Sequence, residues 1–308
     1  MRKKTLTALL LTLILTMSMV FGMGPAFAAG SSAKAQANAY NKHSIGLTSV
    51  SNARELGGYK TKDGRTVKFG KLLRTGELTD LSAADQKKLE QKYHVKKIVD
   101  FRSNRNILMD GQDPELKNAT RAHYPYSSTL NLLLTSQGLE LGKDVLVDIT
   151  RQGYKGNLID SYFLEGYKTM YVSADGIAMF QGFFHDLLDA NGDTVLWHCV
   201  SGKDRTGNAA AMLLYVLGVD RETIIQDFLL TNSYLKEERQ ETYGTVYRLT
   251  KNKTIAKDIA WKDAVQRSWI EASFETIETK YGSVDNFLHK VIGLSKQDYK
   301  KLQKAYLQ

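Results

Sequence analysis

Apolar residues gather in short runs between polar turns, and their spacing gives a first map of the chain. Leu81-Ser82-Ala83-Ala84-Asp85 predicts a helix start, with Ser82 as N-cap and Asp85 favouring the first turn; the helix should run to about Tyr93. Val95–Phe101 predicts a strand entering the core. Ala122–Tyr126 predicts another, which Pro125 places near an edge or ends. Lys60–Val67 holds Asp63-Gly64 between short polar strands, a hairpin signal. Asn157–Ser173 and Asp175–Asp189 read as two helices parting near Ala174. Thr194–His198 is a short apolar strand and Thr206–Leu217 an apolar helix. From Arg221 onward the pattern is almost wholly helical, with turn signals at Gly244, Lys251–Lys253, Gly282 and Gly293. Residues 130–156 lack a clear period, hold several glycines, and are expected to form a long surface insertion or lid.

Strands alternate with helices in the middle of the chain, and helices dominate its end. This predicts an α/β fold, with a small, mostly parallel central sheet flanked by helices and a helical C-terminal part. Residues 43–308 are expected to form a single domain.

The first residues predict an address. Arg2, Lys3 and Lys4 precede an apolar run from Leu6 to Phe21, and Gly24-Pro25-Ala26-Phe27-Ala28-Ala29 supplies an Ala-x-Ala exit. That arrangement describes a secretory signal peptide cut after about Ala28, and hence a secreted protein. An uncleaved anchor is the alternative, since the run approaches the roughly 18 residues needed to span a bilayer. No later run is apolar enough to span, so no membrane segment is expected after cleavage. Residues 29–42, rich in Ala, Ser, Gln and Asn, read as a flexible leader.

Composition narrows the chemistry. The 308 residues carry 42 Lys+Arg against 33 Asp+Glu, a formal +9. Residues 1–28 hold three basic and no acidic residues, which leaves +6 on the secreted form. The basic residues are scattered, so a mildly basic surface suits an anionic partner without pointing to nucleic acid. A hydrophobic fraction of 43% supports a real core. The single cysteine excludes an internal disulfide and any multi-cysteine metal cluster.

That cysteine sits at a strand-to-helix junction, Trp197-His198-Cys199-Val200-Ser201-Gly202-Lys203-Asp204-Arg205-Thr206-Gly207. Successive N–H groups in such a loop form an anion cradle, and the following helix adds its positive end. Both favour the thiolate of Cys199, the reactive form of the residue. Arg205 can curl back and offer a planar fork to two phosphoryl oxygens. Gly202 permits the tight curve, and Thr206 places a hydroxyl near the sulfur. A buried structural cysteine is the blander reading, but His198, Lys203, Asp204 and Arg205 make a poor apolar setting for it.

His-Cys-x5-Arg-Thr/Ser is the signature of the cysteine-dependent protein tyrosine phosphatases. The fuller His-Cys-x-x-Gly-Lys-Asp-Arg-Thr resembles their secreted bacterial tyrosine and phosphoinositide phosphatase branch, with mycobacterial and Listeria members. Asn52-Ala53-Arg54-Glu55-Leu56-Gly57-Gly58 is similar to its opening motif, with Glu where the branch has Asp. Gly70-Lys71-Leu72-Leu73-Arg74-Thr75-Gly76, Ile98-Val99-Asp100-Phe101-Arg102-Ser103 and Tyr281-Gly282-Ser283 with Phe287-Leu288 resemble further elements. The resemblance spans roughly residues 45–305 and implies a central sheet ringed by helices, with no metal and no cofactor.

It also implies roles. Cys199 would attack phosphorus to form a phosphocysteine. Arg205 and the amides of Val200, Ser201, Gly202, Lys203, Asp204 and Arg205 would bind the equatorial oxygens. His198, Arg54 and Arg74 would support the loop. A carboxylic acid should protonate the leaving oxygen, and Asp100 and Asp204 are equal candidates. The blander reading of Asp204 is a salt bridge to neighbouring cations, and of Asp100 a buried partner to Arg54 or Arg74. Lys203 is similar to the extra cation of phosphoinositide-handling members; a solvent-facing lysine is its alternative. The expected partner is a phosphorylated protein, most of all phosphotyrosine, with a phosphoinositide or inositol phosphate (a phytase-like role) as second choice. Rhodanese-like sulfur transfer, a non-catalytic phosphate-binding module and a thiol oxidoreductase fit less well. Arg205 and Thr206 complete the phosphate spacing, and no resolving cysteine exists.

Overall fold

The computed structural model describes residues 42–127 and 158–308. The signal segment, almost all of the leader and the expected 130–156 insertion lie outside the described residues. Five strands form one sheet: β1 (Arg54–Glu55), β2 (Leu72–Thr75), β3 (Val95–Asp100), β4 (Thr120–His123) and β5 (Thr194–His198), in the order β1-β2-β5-β3-β4. Only β1 runs antiparallel to its neighbour. The expected small, mostly parallel sheet is therefore present. Thr75, His198, Asp100 and His123 end the four parallel strands in one row, the edge where sites of α/β sheets gather.

The helices follow in chain order: α1 (Ala83–Lys87), α2 (Asn104–Asp110), α3 (Leu158–Met170), α4 (Ala174–Ala190), α5 (Asp204–Val216), α6 (Arg221–Tyr234), α7 (Lys236–Thr250), α8 (Lys253–Ile259), α9 (Arg267–Tyr281), α10 (Val284–Asn286) and α11 (Lys296–Tyr306). Helix α1 continues into a wider π turn, Lys88–Lys92, and α10 into another, Phe287–Ile292. Alternate strand residues feed two cores. Val99, Val195 and Trp197 join the larger, with Phe180, Phe183 and Phe184 of α4 and the apolar face of α5. Leu73, Ile98 and Leu196 point the other way, onto Ile45, Val50 and Leu89. No helix among the described residues is long and apolar enough to cross a membrane.

Local signals place most of these elements. Ser82 caps α1 by accepting from the Asp85 amide, and Ser173 caps α4 after a three-residue break from α3. Gly64 turns the expected hairpin at φ 89°, joined by a bridge between Lys60 and Thr66. Strand β4 is mostly exposed and stops before Pro125, as an edge strand should.

Some expectations are corrected. Helix α5 begins at Asp204 rather than Thr206, so Asp204 and Arg205 stand in its first turn. Gly244 lies inside α7, and the break falls at Leu235, which separates α6 from α7. Strand β2 and helix α2 were not expected at all. The latter is opened by a capping box in which Ser103 and Asn106 satisfy each other's amides.

Candidate active site

The chain leaves β5 at His198, turns through Cys199–Lys203 and enters α5. The turn is held from behind by its carbonyls. Val200 O accepts from the Glu77 amide at 2.8 Å and Ser201 O from Asn52 Nδ2 at 3.1 Å. Gly202 O accepts from Asn52 Nδ2 and Arg74 Nη2, each at 2.9 Å. In a trans peptide the N–H points opposite to the C=O. The amides of Ser201, Gly202 and Lys203 therefore face away from these clamps, as an anion nest requires. Helix α5 has no side-chain cap at Lys203, so its open amides add to the same place. Gly202 adopts φ 62°, and a Cβ there would lie 2.3 Å from Thr75 O, so glycine alone lets the loop pass so close to β2.

The clamps rest on a residue that sequence reasoning missed. Arg54 and Arg74, both fully buried, pair with Asp227 of α6 at 3.4 and 2.8 Å. Arg54 also donates to Asn52 Oδ1, aligning the side chain that grips the loop. Burial would raise the Asp227 carboxyl, but Arg54 and Arg74 outweigh it and hold it below the usual carboxylate range. The signal for Asp227 was an acid on the apolar stripe of α6, between Ile224 and Phe228. Asp227→Asn leaves two buried guanidinium groups without their counter-charge. The expected loss of stability is about 3–5 kcal/mol, read from the denaturant midpoint; an unchanged midpoint would show that water or the backbone already neutralises them.

A second buried network flanks the loop on the β3 side. Asp100 accepts from Arg102 Nε at 3.1 Å and Nη2 at 2.9 Å, and from the Arg102 amide at 2.8 Å. Its partner is thus Arg102, not Arg54 or Arg74, because those two are taken by Asp227. Asp113, also unforeseen, meets Arg102 Nη2 at 3.0 Å, and Arg121 reaches it too. His198 directs Nδ1 to Cys199 O at 3.2 Å. Its Nε2 stands 3.1 Å from Asp113, at an angle too poor for a hydrogen bond. Burial works against the Asp113 anion, yet His198, Arg102 and Arg121 hold its carboxyl well below the ordinary range. Asp100, Asp113 and His198 bring ligand-type atoms together, but Arg102 and Arg121 already neutralise the two carboxylates. The cluster is an ion-pair network rather than a cation site.

Glu77 closes this network, 3.2 Å from Arg102 Nη1. Burial and the nearby Asp110 push its carboxyl up to about 6, against the pull of Arg102. A carboxyl raised on folding adds stability below its unfolded pKa, about 4.5, and loses that contribution as pH rises through 6. Glu77→Gln is expected to abolish this loss, so the variant gains on the parent in melting temperature across that window. A parallel pH dependence in both proteins would contradict it.

Cys199 is buried, and both Arg74 and Lys203 lie within electrostatic reach of its sulfur. Arg205 is anchored by one nitrogen: Nη1 donates to Phe101 O and Tyr126 O, each at 3.0 Å, and lies 3.3 Å from Asn106 Oδ1. Among the described residues, Nε and Nη2 meet no acceptor, which leaves a free edge of the fork. Thr206 Oγ1 is buried without a hydrogen-bond partner.

Asp204 and Arg205 border a cleft lined by Tyr126, Tyr162, Phe163, Tyr167 and Met170. Asp204 is about a quarter exposed and takes a hydrogen bond from the Tyr167 hydroxyl at 2.7 Å. Lys203 does not face solvent. Its ammonium is buried 3.7 Å from the centre of the Phe163 ring and 5.5 Å from Trp269, and donates to Asp204 Oδ1 at 3.1 Å. Burial lowers its pKa despite the Asp204 charge. The cage that holds it was hidden in the sequence, since Phe163 and Trp269 read as core aromatics.

Known proteins bear on this geometry. A model described as the tyrosine phosphatase family matches residues 45–308. A Cupriavidus necator protein with a provisional tyrosine-protein phosphatase name is 30% identical over 275 residues, covering 89% of this chain and 92% of its own. The triple specificity protein phosphatase PtpB of Mycobacterium tuberculosis is 24% identical over 267 residues, covering 77% and 91%. Since the family model runs from the first clamp residues to the last helix, this chain belongs to the tyrosine phosphatase family and is a phosphatase.

Proposed function

We propose that the enzyme hydrolyses phosphate monoesters, phosphotyrosine above all, through a phosphocysteine on Cys199. The observation that carries this reading is the clamped loop. Three consecutive carbonyls are tied back by Glu77, Asn52 and Arg74, so the opposing amides and the free edge of Arg205 can hold three phosphoryl oxygens over the cysteine. Thiolate attack forms the S–P bond as the ester P–O bond breaks; water then releases phosphate from sulfur.

Asp204 is the proton donor in this reading. It borders the cleft, whereas both oxygens of Asp100 are engaged by Arg102. Asp100 keeps Arg102 and, through it, the β3 edge in place. The aromatic wall beside Asp204 suits the ring of an aryl ester. A phosphoinositide or inositol polyphosphate would need a cation for its further phosphates, and Lys203 is committed to its aromatic cage. Residues 1–28 are proposed to direct export, which N-terminal sequencing of protein from the culture medium tests.

The experiment is rapid quenching with an aryl phosphate in the presence of EDTA, followed by mass spectrometry of the peptide that holds Cys199. A phosphoryl adduct on that residue is expected. Turnover without the adduct, or activity that needs metal, would overturn the mechanism. A panel of phosphotyrosine and phosphoserine peptides, inositol lipids and phytate is expected to favour the aryl ester; preference for an inositol phosphate would favour the other substrate class.

A further inference from the structure

The two oxygens of Asp204 are not equivalent. Oδ1 accepts from the Tyr167 hydroxyl at 2.7 Å and from the Lys203 ammonium at 3.1 Å. Among the described residues Oδ2 meets no donor. Both donors come from inside the protein. Tyr167 is fully buried, edge-on to Phe228 and tilted over Trp269; Lys203 is held by Phe163 and Trp269, which stack on each other. Burial and the Asp204 charge push the Tyr167 hydroxyl well above its ordinary range, so it remains a donor at any working pH.

We propose that Tyr167, supported by Lys203, is a positioning residue for proton transfer: it pins Oδ1 of Asp204 so that Oδ2 carries the proton given to the leaving oxygen. The inference rests on Asp204 as the acid. As the ester P–O bond breaks, its electron pair stays on the leaving oxygen, which takes the Oδ2 proton. Asp204 becomes a carboxylate, and the two donors on Oδ1 stabilise the charge as it forms. In the second step Oδ2 takes a proton from the water that attacks phosphorus, the S–P bond breaks, and the acid is restored. A donor on Oδ1 thus assists both steps without itself passing a proton to the substrate.

The test is a series of aryl phosphates whose phenols range from acidic to basic. A nitrophenolate leaves readily without a proton, whereas a basic phenolate needs one. Tyr167→Phe keeps the ring and its packing. It is expected to lose about tenfold in kcat/KM on the most basic phenols and clearly less on nitrophenyl phosphate, so that rate depends more steeply on the leaving group. Lys203→Met, which keeps an apolar stem among the same rings, should steepen it in the same sense. Uniform slowing across the series, or none, in both variants would overturn the positioning role. Asp204→Asn separates the two levels. If it leaves the leaving-group dependence unchanged, the acid itself is misassigned and the inference falls with it. If Asp204→Asn steepens the dependence while the other two variants do not, only the roles of Tyr167 and Lys203 fall.

Discussion

Cys199→Ser is expected to lower kcat by about 10⁴-fold or more while leaving the fold intact. The exchange replaces sulfur by oxygen at a buried position and adds no bulk. It exchanges a strong sulfur nucleophile for a hydroxyl, which attacks only with a base beside it. The adjacent imidazole cannot rescue a serine, because His198 Nδ1 is committed to Cys199 O and the ring is fully buried. The loop amides and Arg205 remain, so the variant should still bind a phosphorylated peptide, as calorimetry would show. A rate within about tenfold of the parent would remove Cys199 from the chemistry.

Arg205→Lys should cost about 10³-fold in kcat, more than any expected rise in KM. The guanidinium is fastened through Nη1 to Phe101 O and Tyr126 O, and this turns its remaining nitrogens into an oriented fork. Lysine keeps the charge but offers a single point in place of a plane. It must also choose between the two carbonyls and the phosphate. A loss below about tenfold on aryl phosphates would mean that charge alone suffices and the fork is idle.

The parts of this molecule that could be read from the chain are those governed by neighbours in sequence. Strand β5, the hairpin at Gly64 and the cap at Ser82 follow from local pattern. So does the cysteine loop, because the spacing of Cys199, Gly202 and Arg205 lies within one turn and one helix start. Strand β2 escaped because Arg74 interrupts its apolar run. The arginine is buried all the same, since Asp227, 153 residues further on, supplies its counter-charge. Asp100 was placed correctly at the end of its strand, but its partner depended on which arginines other acids had already claimed. Lys203 shows the same limit. A lysine in a polar loop reads as exposed, and only folding brings Phe163 and Trp269 around it. Tyr167 was one of 16 tyrosines until its hydroxyl was found on Asp204.

Catalytic loops are usually drawn from the least protected parts of a fold. The loop proposed to carry the chemistry hangs from β5, which has β2 on one side and β3 on the other, and it is stapled to both flanks. The amide hydrogens of Val195–His198 should therefore be among the slowest in the molecule to exchange with deuterated water, released only when the whole domain opens. Activity and tertiary structure should then disappear together along a urea titration, with no range in which a folded enzyme has lost its loop.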